Sequence, residues 1–333
     1  MLLSLIVPCF NEEESIPLLL PALDGSHADL TAAGHDLEVL VVDDGSRDAS
    51  PSLLREATRG RPWLRVIRLA RNFGQTAAMA AGFAHAQGEV IIPIDADLQN
   101  DPADIPLLLA KLDEGYDVVS GWRKNRQDKA LTRILPSVIA NRLISRLSGV
   151  ALHDYGCTLK AYRRDVMQDV RLYGEMHRFI PIYAAWQGAR VTEAVVRHHP
   201  RRKGQTKYGL GRIPNVLLDL MLVRFLWSYG TKPIHIFGKF GLANLAMAFG
   251  LFALSVYLKL AGLRDFIQTP LPTVCVMFFL IGCLSILMGF LAELITRTYH
   301  EAAGRATFVV REVYREGESE PPARVRVVAA ARG

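Results

Sequence analysis

The sequence predicts an α/β domain built on a mainly parallel sheet, followed by a hairpin of two apolar helices. Apolar runs of strand length alternate with helical stretches along the first 200 residues, and the early runs end in polar turns. Two later runs, at residues 234–260 and 271–296, are almost wholly apolar. The alternation predicts the sheet with its covering helices, and the two long runs predict the hairpin.

Four strand-then-turn units are predicted in the first 100 residues. Their sequences are LLSLIVPCF, DLEVLVVDDGS, WLRVIRLA and EVIIPIDADL. Helices are predicted between them at Glu14–Leu23, Ser50–Thr58 and Thr76–Gln87. This order of elements produces parallel strands covered by helices, with ligands at the carboxyl ends of the strands.

Polar residues gather where the first two strands end. Strand one stops at Pro8 and is followed by Asn11 and Glu12, and strand two runs into Asp43 and Asp44. A carboxylate such as Asp44 can accept hydrogen bonds from ribose hydroxyls or a base N–H. These residues therefore predict a nucleotide pocket at this edge of the sheet.

Local turn chemistry is the alternative for residues 43–46, with Ser46 or Asp48 capping the next helix. Both interpretations stay open on the sequence alone, although three acidic strand ends in one sheet favour a site. The chain has no G-x-G-x-x-G and no G-x-x-x-x-G-K-[ST] sequence. A dinucleotide site and a P-loop therefore lack their usual fingerprints.

Two carboxylates, Asp95 and Asp97, end the fourth strand. Alternate side chains of a strand share a face, so we expect both acids to project the same way. Two like charges that close are costly unless a cation lies between them, and Mg²⁺ or Mn²⁺ takes such oxygen ligands together with substrate phosphates. Gln99 and Asn100 add oxygen donors. The alternative is a solvated turn without a ligand.

The overall composition argues against several kinds of site. The net charge of +6 is modest and does not indicate a nucleic-acid partner. Four cysteines, at positions 9, 157, 275 and 283, show no C-x-x-C spacing, which argues against zinc or disulfides and fits a reducing compartment. Residues 1–7 are too short and uncharged for a signal peptide, so the N-terminal domain is expected in the cytosol.

Each of the two later apolar runs is long enough to cross a bilayer core of about 30 Å. The link between them, AGLRDFIQTP, is short, so both ends of the hairpin lie on one side. Basic residues crowd those ends, in residues 197–212 and 297–311, whereas Arg264 in the link is balanced by Asp265. The positive-inside rule then predicts cytoplasmic termini. Two buried helices of a soluble protein are the alternative, which the lack of a polar stripe disfavours.

Residues 213–233, which precede the hairpin, carry apolar side chains at helical spacing with Trp227 and Tyr229 near the end. This pattern predicts a helix in the membrane interface, and a buried helix of the soluble domain is equally open. After the hairpin, residues 306–314 (ATFVVREVY) are predicted to form a short strand that joins a sheet edge or a neighbouring subunit. The stretch after Gly317 is expected to be disordered.

Five motifs occur in an order that resembles a known family. They are VPCFNEE, VVDDGSRD, RNFGQTAAMAAGF, IDADLQNDP and YGCTLKAYRR, and they cover about the first 210 residues. The chain is similar to the inverting GT-A glycosyltransferases of family 2, most of all to polyisoprenyl-phosphate glycosyltransferases. That group contains dolichol-phosphate mannose synthases and bacterial bactoprenol-phosphate glucosyltransferases, and the two-helix tail matches the bacterial members. The resemblance implies a GT-A, Rossmann-like domain.

The resemblance implies roles for residues on the donor side. Pro8, Asn11, Glu12 and Asp44, together with Asp95, would line the nucleotide-sugar. Asp95, Asp97 and Gln99 would hold Mg²⁺ or Mn²⁺ against its diphosphate. The cation would neutralise the charge that develops on the nucleoside diphosphate as it leaves.

The resemblance also implies an acceptor side. Arg123 matches an arginine near the acceptor phosphate, with Arg133 and Ser137 as weaker matches, and an arginine fork suits a phosphate. An ordinary surface position on a helix is the alternative for Arg133. Asp154 lies where the group carries an acid near the reacting centre, and it either orients a substrate or acts as a base, whereas the neighbouring His153 is interpreted as structural.

The basic, glycine-rich segment 198–212 is predicted to be a mobile flap over the phosphates, with Arg202 and Lys207 as the acceptor-phosphate candidates. A solvated charged loop is the alternative. The expected organisation is a GT-A domain at 1–211, a juxtamembrane helix at 212–233, membrane helices at 234–260 and 271–296, and a cytosolic tail at 297–333.

The predicted activity is transfer of one sugar from a nucleotide-sugar, preferably a UDP-sugar, to a polyprenyl phosphate such as undecaprenyl phosphate. The enzyme would be a multi-pass protein of the bacterial inner membrane, with its catalytic domain and both termini in the cytoplasm, and self-association is left open. A processive polysaccharide synthase is one alternative, although its usual QxxRW motif and additional spans are missing from the sequence. A catalytically inactive membrane scaffold is the other.

Overall fold

The computed structural model describes residues 1–124, 135–167, 176–200, 234–302, 310–315 and 318–319. Nine strands and nine α-helices occur in these ranges. The strands are β1 (Leu2–Cys9), β2 (Asp36–Asp43), β3 (Leu64–Leu69), β4 (Val90–Pro93), β5 (Val118–Trp122), β6 (Lys160–Arg163), β7 (Val191–Val195), β8 (Val310–Arg315) and β9 (Glu318–Ser319). The helices are α1 (Ile16–Ala32), α2 (Ser50–Ala57), α3 (Gln75–His85), α4 (Ile105–Asp113), α5 (Leu135–Ser148), α6 (Arg164–Met167), α7 (Ile180–Trp186), α8 (Ile234–Leu260) and α9 (Leu271–Ala302).

All nine strands belong to one sheet with the order β7-β5-β6-β4-β1-β2-β3-β8-β9. The pairs β1–β2, β2–β3, β1–β4 and β5–β7 are parallel, whereas β6 runs antiparallel to β4 and β5, and β8 runs antiparallel to β3. The predicted α/β class with a mainly parallel sheet is therefore confirmed. The antiparallel strands come later in the chain than the four predicted units.

Both faces of the central strands are buried, as expected for parallel strands between two helical layers. In β1, Leu3, Leu5 and Val7 belong to a large apolar core with residues of α1, α2 and α4. On the opposite face, Gly82 of α3 lies against Ile6, and a Cβ at Gly82 would be 2.4 Å from the Ile6 side chain. This close contact lets α3 lie directly on the sheet.

Strand order reverses at β1. Strands β2 and β3 extend the sheet on one side of β1, and β4 pairs with β1 on the other side. In open α/β sheets, ligands bind outside the carboxyl ends of the strands at such a switch point. The loops that follow β1 and β4 carry Asn11 and the Asp95–Asp97 pair, so the topology brings these predicted site residues to one edge.

Two apolar helices form the second compact unit of the chain. Phe237–Leu260 and Leu271–Ala292 are long and apolar enough to cross a membrane, with mean hydropathies of 1.8 and 2.7. Leu242, Phe249, Leu287 and Phe290 are 61–66% exposed. The alternative of buried soluble helices does not fit this exposure. The second helix continues to Ala302, beyond the expected end at residue 296.

The two apolar helices pack closely where a glycine of each faces the other. A Cβ added at Gly241 would lie 2.8 Å from the Gly282 carbonyl oxygen, and one added at Gly282 would lie 2.9 Å from the Gly241 carbonyl oxygen. Small residues at such crossings let helix backbones approach in the absence of a hydrophobic driving force between helices. The two helices of the hairpin therefore pack directly against each other.

The chain returns to the sheet after the hairpin. Strand β8 pairs with β3, with Ile67 opposite Val313, and Tyr314 is buried against the domain core. The predicted strand at 306–314 is thus found at Val310–Arg315, and it joins the sheet beside β3. The expectation of disorder after Gly317 is wrong for Glu318–Ser319, which pair with β8.

Candidate active site

The loop after β1 is hydrogen-bonded to the loop after β2. The Asn11 N–H donates to the Ser46 hydroxyl at 2.9 Å, and the Arg47 N–H donates to the Asn11 side-chain oxygen at 2.9 Å. The Glu12 N–H donates to the Ser50 hydroxyl at 2.9 Å. Asn11 has a φ of 51°, a left-handed conformation that asparagine tolerates better than most residues. These bonds fix Asn11 and Glu12 beside the loop after β2, and the half-buried Pro8 lies just before them in β1, opposite Val42 of β2.

Asp44 is buried and holds the end of the loop before α3. Its two carboxylate oxygens accept the backbone N–H groups of Phe73 and Gly74 at 2.8 and 2.9 Å. Burial raises the pKa of Asp44, and these two N–H groups oppose that rise. A carboxylate has about four acceptor positions, so two remain for a ligand. Contact between Asp44 and a nucleotide stays a prediction.

The loop after β2 also contains the local side-chain to backbone hydrogen bonds that the turn interpretation of residues 43–46 predicts. The Ser46 N–H donates to Asp43 at 2.9 Å, and the Ser50 N–H donates to Asp48 at 3.0 Å. The two interpretations are therefore compatible, because different carboxylates serve them. Asp43 and Asp48 organise the turn, and Asp44 reaches across to the next loop.

Gly45 places this turn against the loop after β3. Its φ is 70°, and an added Cβ would lie 2.4 Å from the carbonyl carbon of Arg71. We expect Gly45→Ala to lower the free energy of unfolding by about 3 kcal/mol or more, because backbone strain and a backbone clash add together. Gly34→Ala is the matched control, with a φ of 83° and nothing within 4 Å, and should cost only about 1–2 kcal/mol. Equal losses in thermal denaturation would contradict the proposed close packing.

Asp95 and Asp97 lie beyond the end of β4, and Asp97 is part of a turn. Strand β4 ends at Pro93, so the expectation that both acids share one strand face is wrong. The chain turns instead, with Leu98 at a φ of 57° and the Gln99 N–H donating to Asp97 at 3.1 Å. The two carboxylates nevertheless interact, because the charge of Asp97 raises the pKa of Asp95.

The Asp95 side chain is held on both oxygens. Gln75 Nε2 donates to Oδ1 at 2.9 Å, and the Thr158 hydroxyl donates to Oδ2 at 2.7 Å. Burial, and then the neighbouring charge of Asp97, raise the pKa of Asp95 to about 6. Sequence reasoning missed Gln75 and Thr158 as site residues, although both lie in motifs that carried the resemblance.

Asp95 and Asp97 fit a hard divalent cation whose remaining ligands come from the phosphates of a substrate. Within the described parts of the chain, no group of three or more His, Cys, Asp or Glu side chains is placed to hold a metal ion. Asp95 and Asp97 offer two adjacent carboxylates, and Mg²⁺ is typically held by one or two carboxylates plus substrate phosphates. The donor set therefore suits a metal that binds together with a diphosphate. Coordination by the Gln99 side chain stays a prediction.

Arg123 and Asp154 form a buried, bidentate ion pair. Arg123 Nε and Nη2 lie 2.7 and 3.0 Å from the two oxygens of Asp154, and the side chains are 12% and 4% exposed. Burial alone would lower the pKa of Arg123, but the Asp154 carboxylate raises it. The Gly156 N–H also donates to Asp154 at 3.0 Å. The structure thus brings together the arginine predicted for the acceptor side and an acid that was predicted separately.

Lys160 supports the loop that carries Asp154. It is buried at the start of β6, and its ammonium group donates to the backbone carbonyls of Tyr155, at 3.3 Å, and Cys157. Burial lowers the pKa of Lys160 to about 8 and raises that of the Cys157 thiol to about 11. A lysine within a short strand gives no sequence signal for this role, because strand periodicity does not show which carbonyls lie nearby.

His153 packs at the outer edge of this region. Its ring stacks on Trp122 with the centroids 4.2 Å apart, and its Nδ1 bonds to Glu193. These contacts agree with the interpretation of His153 as structural. Of the other acceptor-side candidates, Arg133, Arg202 and Lys207 lie outside the described residues, as does the segment 213–233. Ser137 lies in α5, and its role stays a prediction.

The loop after Asp97 is joined to the start of the basic segment 198–212. The His199 N–H donates to the Gln99 carbonyl oxygen at 2.9 Å, and Asn100 forms a β-bridge with His198. Arg197 Nε also donates to the buried Asp104 carboxylate at 2.8 Å. The candidate metal loop and the beginning of the predicted flap are therefore one hydrogen-bonded unit.

Comparison with known proteins identifies the family. The model of "Glycosyl transferase family 2" matches residues 4–171, which include the loops after β1, β2 and β4 and the Arg123–Asp154 pair. The chain belongs to glycosyl transferase family 2. The resemblance found in the sequence motifs is thus confirmed.

Two curated relatives match almost the whole chain. Dodecaprenyl-phosphate galacturonate synthase of Rhizobium johnstonii is 42% identical over 317 residues, covering 94% of this chain and 93% of that protein. Undecaprenyl-phosphate 4-deoxy-4-formamido-L-arabinose transferase of Klebsiella pneumoniae subsp. pneumoniae is 40% identical over 320 residues, covering 95% and 94%. The similarity therefore extends through the helical hairpin.

Solved structures confirm the GT-A-type fold. Glucosyl-3-phosphoglycerate synthase from Mycobacterium tuberculosis, in complex with phosphoglyceric acid, has a TM-score of 0.51 at 18% identity. The match covers 67% of this chain and 79% of that one. The same enzyme with Mn²⁺, uridine diphosphate and glucosyl-3-phosphoglycerate gives a TM-score of 0.50 at 19% identity. At sequence identities this low, the similarity establishes a shared fold and no more.

Proposed function

We propose that this protein transfers one sugar from a nucleotide-sugar, a UDP-sugar in the favoured case, to a polyprenyl phosphate such as undecaprenyl phosphate. The observation that carries the proposal is the near full-length similarity to two transferases whose names specify a polyprenyl-phosphate product or substrate. That similarity includes the hairpin as well as the sheet domain. An acceptor with a long lipid tail suits a catalytic domain joined to membrane helices.

The donor side is assigned to the switch point of the sheet. Pro8, Asn11, Glu12 and Asp44 would line the nucleotide. Asp95, Asp97 and Gln99 would hold Mg²⁺ or Mn²⁺, which neutralises charge on the leaving diphosphate when it is bound. A fold relative that carries Mn²⁺ and UDP supports this choice of metal and donor.

The acceptor side is assigned to Arg123. Two of its five N–H groups bind Asp154, and others can be donated to a phosphate. Asp154 then acts by orienting this arginine, since a carboxylate committed to a buried ion pair is a poor base. A lipid monophosphate also needs little help from a base, because its second pKa is about 6. The lipid phosphate attacks the anomeric carbon of the sugar from the face opposite the leaving diphosphate. This attack inverts the configuration at that carbon.

The return of the chain to the sheet supports the proposed membrane topology. The domain precedes α8, and β8 pairs with β3 of the same domain after α9. In a two-span protein, this connectivity is what we expect if both ends of the hairpin lie on one side of the membrane. With the basic residues at those ends, this supports a two-span protein of the bacterial inner membrane whose domain and termini are cytoplasmic.

The alternatives are less well supported. A processive synthase is not favoured, because the matches over the whole chain are to polyprenyl-phosphate transferases. An inactive scaffold would have no need for a buried arginine–carboxylate pair beside two adjacent acids. Such buried charges are costly to keep without a ligand to bind.

A comparison of acceptors tests the proposal. The purified protein is incubated with UDP-sugars and with either undecaprenyl phosphate or undecaprenol, and lipid products are analysed by mass spectrometry. We expect one sugar per lipid, and only with the phosphorylated acceptor. Chains of several sugars would favour a processive synthase, and equal use of undecaprenol would exclude the assigned role of Arg123.

Metal affinity should fall at acid pH. The folded-state pKa of Asp95 is raised to about 6, so the metal-free carboxyl binds a proton as the pH falls through that value. Because the metal must displace this proton, we expect Mn²⁺ affinity to drop about fivefold from pH 6 to pH 5 and to change little above about pH 7. Electron paramagnetic resonance titration measures this, with Mn²⁺ binding to UDP alone as the correction. An affinity independent of pH over this range would contradict the assignment.

A further inference from the structure

We infer that Gln75 and Thr158 are positioning residues that orient Asp95 toward the divalent cation. Both oxygens of Asp95 accept a side-chain hydrogen bond, from Gln75 Nε2 at 2.9 Å and from the Thr158 hydroxyl at 2.7 Å. The inference rests on the proposed function, since the cation is the one assigned to the donor diphosphate. It adds two residues that lie 20 and 63 positions from Asp95 in the chain.

Gln75 is held in place by the hydrogen bonds that Asp44 accepts from the two residues before it. Asp44 accepts the N–H groups of Phe73 and Gly74, and α3 starts at the next residue, Gln75. Gly74 has a φ of 94°, which a residue with a side chain rarely adopts, so this turn into the helix requires glycine. The neighbouring Thr76 hydroxyl bonds to His177 Nδ1 at 2.7 Å. The first turn of α3 is therefore fixed from two sides.

Thr158 is placed by the loop that precedes β6. It is buried, and the carbonyl of its neighbour Cys157 accepts from the Lys160 ammonium group. Asp154, at the other end of this loop, is bound by Arg123 and by the Gly156 N–H. The hydroxyl that faces Asp95 thus comes from the same loop as the acceptor-side ion pair. Asp95 lies between the donor-side helix and the acceptor-side loop.

The two hydrogen bonds restrict which way the remaining lone pairs of Asp95 point. A carboxylate has about four acceptor positions, and two are taken, so two are left for a cation. Partners that hold a metal ligand through its other acceptor positions usually contribute tenfold to a hundredfold to metal affinity or activity. Gln75 and Thr158 are such hydrogen-bond partners of Asp95.

Isosteric variants test the inference through metal binding, which does not depend on sugar transfer. Thr158→Val and Gln75→Met remove the donors at nearly constant volume. We expect each to weaken Mn²⁺ binding in the presence of UDP by about tenfold to a hundredfold, measured by electron paramagnetic resonance. Thr158→Ser, which keeps the hydroxyl, should stay within about threefold of the wild type. Gln87→Met, at an exposed position after α3, should match the wild type.

The controls separate positioning from general damage. Binding of UDP without metal should be nearly unchanged in all four variants, and circular dichroism should show that all four are folded at the assay temperature, although loss of a donor to a buried carboxylate lowers the melting temperature by a few degrees. Wild-type Mn²⁺ affinity in both Thr158→Val and Gln75→Met would overturn the inference, as would an equal loss in Thr158→Ser and Thr158→Val. If the affinities change as expected but no sugar reaches a polyprenyl phosphate, the inference holds and the proposed function fails.

Discussion

Asp97→Asn is expected to lower the rate of sugar transfer by about a thousandfold or more while the protein stays folded. The variant removes one of the two carboxylates assigned to the metal, and the lost charge stabilisation amounts to several kcal/mol in the transition state. The fold should persist, because the Asn side-chain oxygen can still accept the Gln99 N–H that Asp97 accepts at 3.1 Å. Transfer of labelled sugar into lipid gives the rate, and the melting temperature reports the fold.

The matched control for Asp97→Asn is Asp113→Asn, at an exposed position that ends α4. It removes the same charge from the protein at a position that has no assigned role. We expect its transfer rate to equal that of the wild type. Wild-type turnover in Asp97→Asn would exclude the metal assignment, and a loss of folding in that variant would show that the carboxylate is needed for structure.

Arg123→Met is expected to lower the free energy of unfolding by about 3–5 kcal/mol, in addition to abolishing transfer. The substitution leaves the Asp154 carboxylate, which is only 4% exposed, without its bidentate partner. Removing one member of a buried ion pair costs this much because the other charge stays buried and uncompensated. For a domain of this size, the melting temperature should fall by roughly 10 °C.

A double variant separates the buried charge from the packing. In Arg123→Met/Asp154→Leu the unpaired carboxylate is gone, and we expect most of the lost stability to return while transfer remains absent. Arg142→Met, at an exposed position of α5, is the control and should change the melting temperature little. The pair would have no structural role if Arg123→Met were as stable as Arg142→Met.

The presence of the first four strands could be predicted because each one is a local signal. A run such as Val90, Ile91 and Ile92 is apolar on both faces, which is the pattern of a strand between two helical layers. The end of β4 could not be predicted in the same way. Ile94, Asp95, Ala96 and Asp97 continue an alternating pattern, but the chain turns after Pro93. Periodicity alone does not record where pairing stops.

Strand pairings between segments that are far apart in the chain also could not be predicted from the sequence. Strand β6 inserts antiparallel between β4 and β5, and β8 reaches β3 from beyond the hairpin. The same limit applies to the site. Asp95 and Asp97 were evident from their spacing, whereas Gln75 and Thr158 become site residues only when the fold brings three loops together. Lys160 was hidden for the same reason, since its partners are backbone carbonyls.

Chelator-sensitive transfer to lipid phosphate is the most direct measurement of the central claim. Membranes that contain the protein are incubated with undecaprenyl phosphate, Mn²⁺ or Mg²⁺, and labelled UDP-glucose, UDP-galacturonic acid or UDP-4-deoxy-4-formamido-L-arabinose, with and without chelator. We expect one of these donors to place label in the organic phase, chelator to abolish it, and added metal to restore it. Label that persists undiminished in chelator would contradict the metal site. No lipid label from these three donors, or from a wider panel of UDP- and GDP-sugars in the same assay, would contradict the proposed transfer.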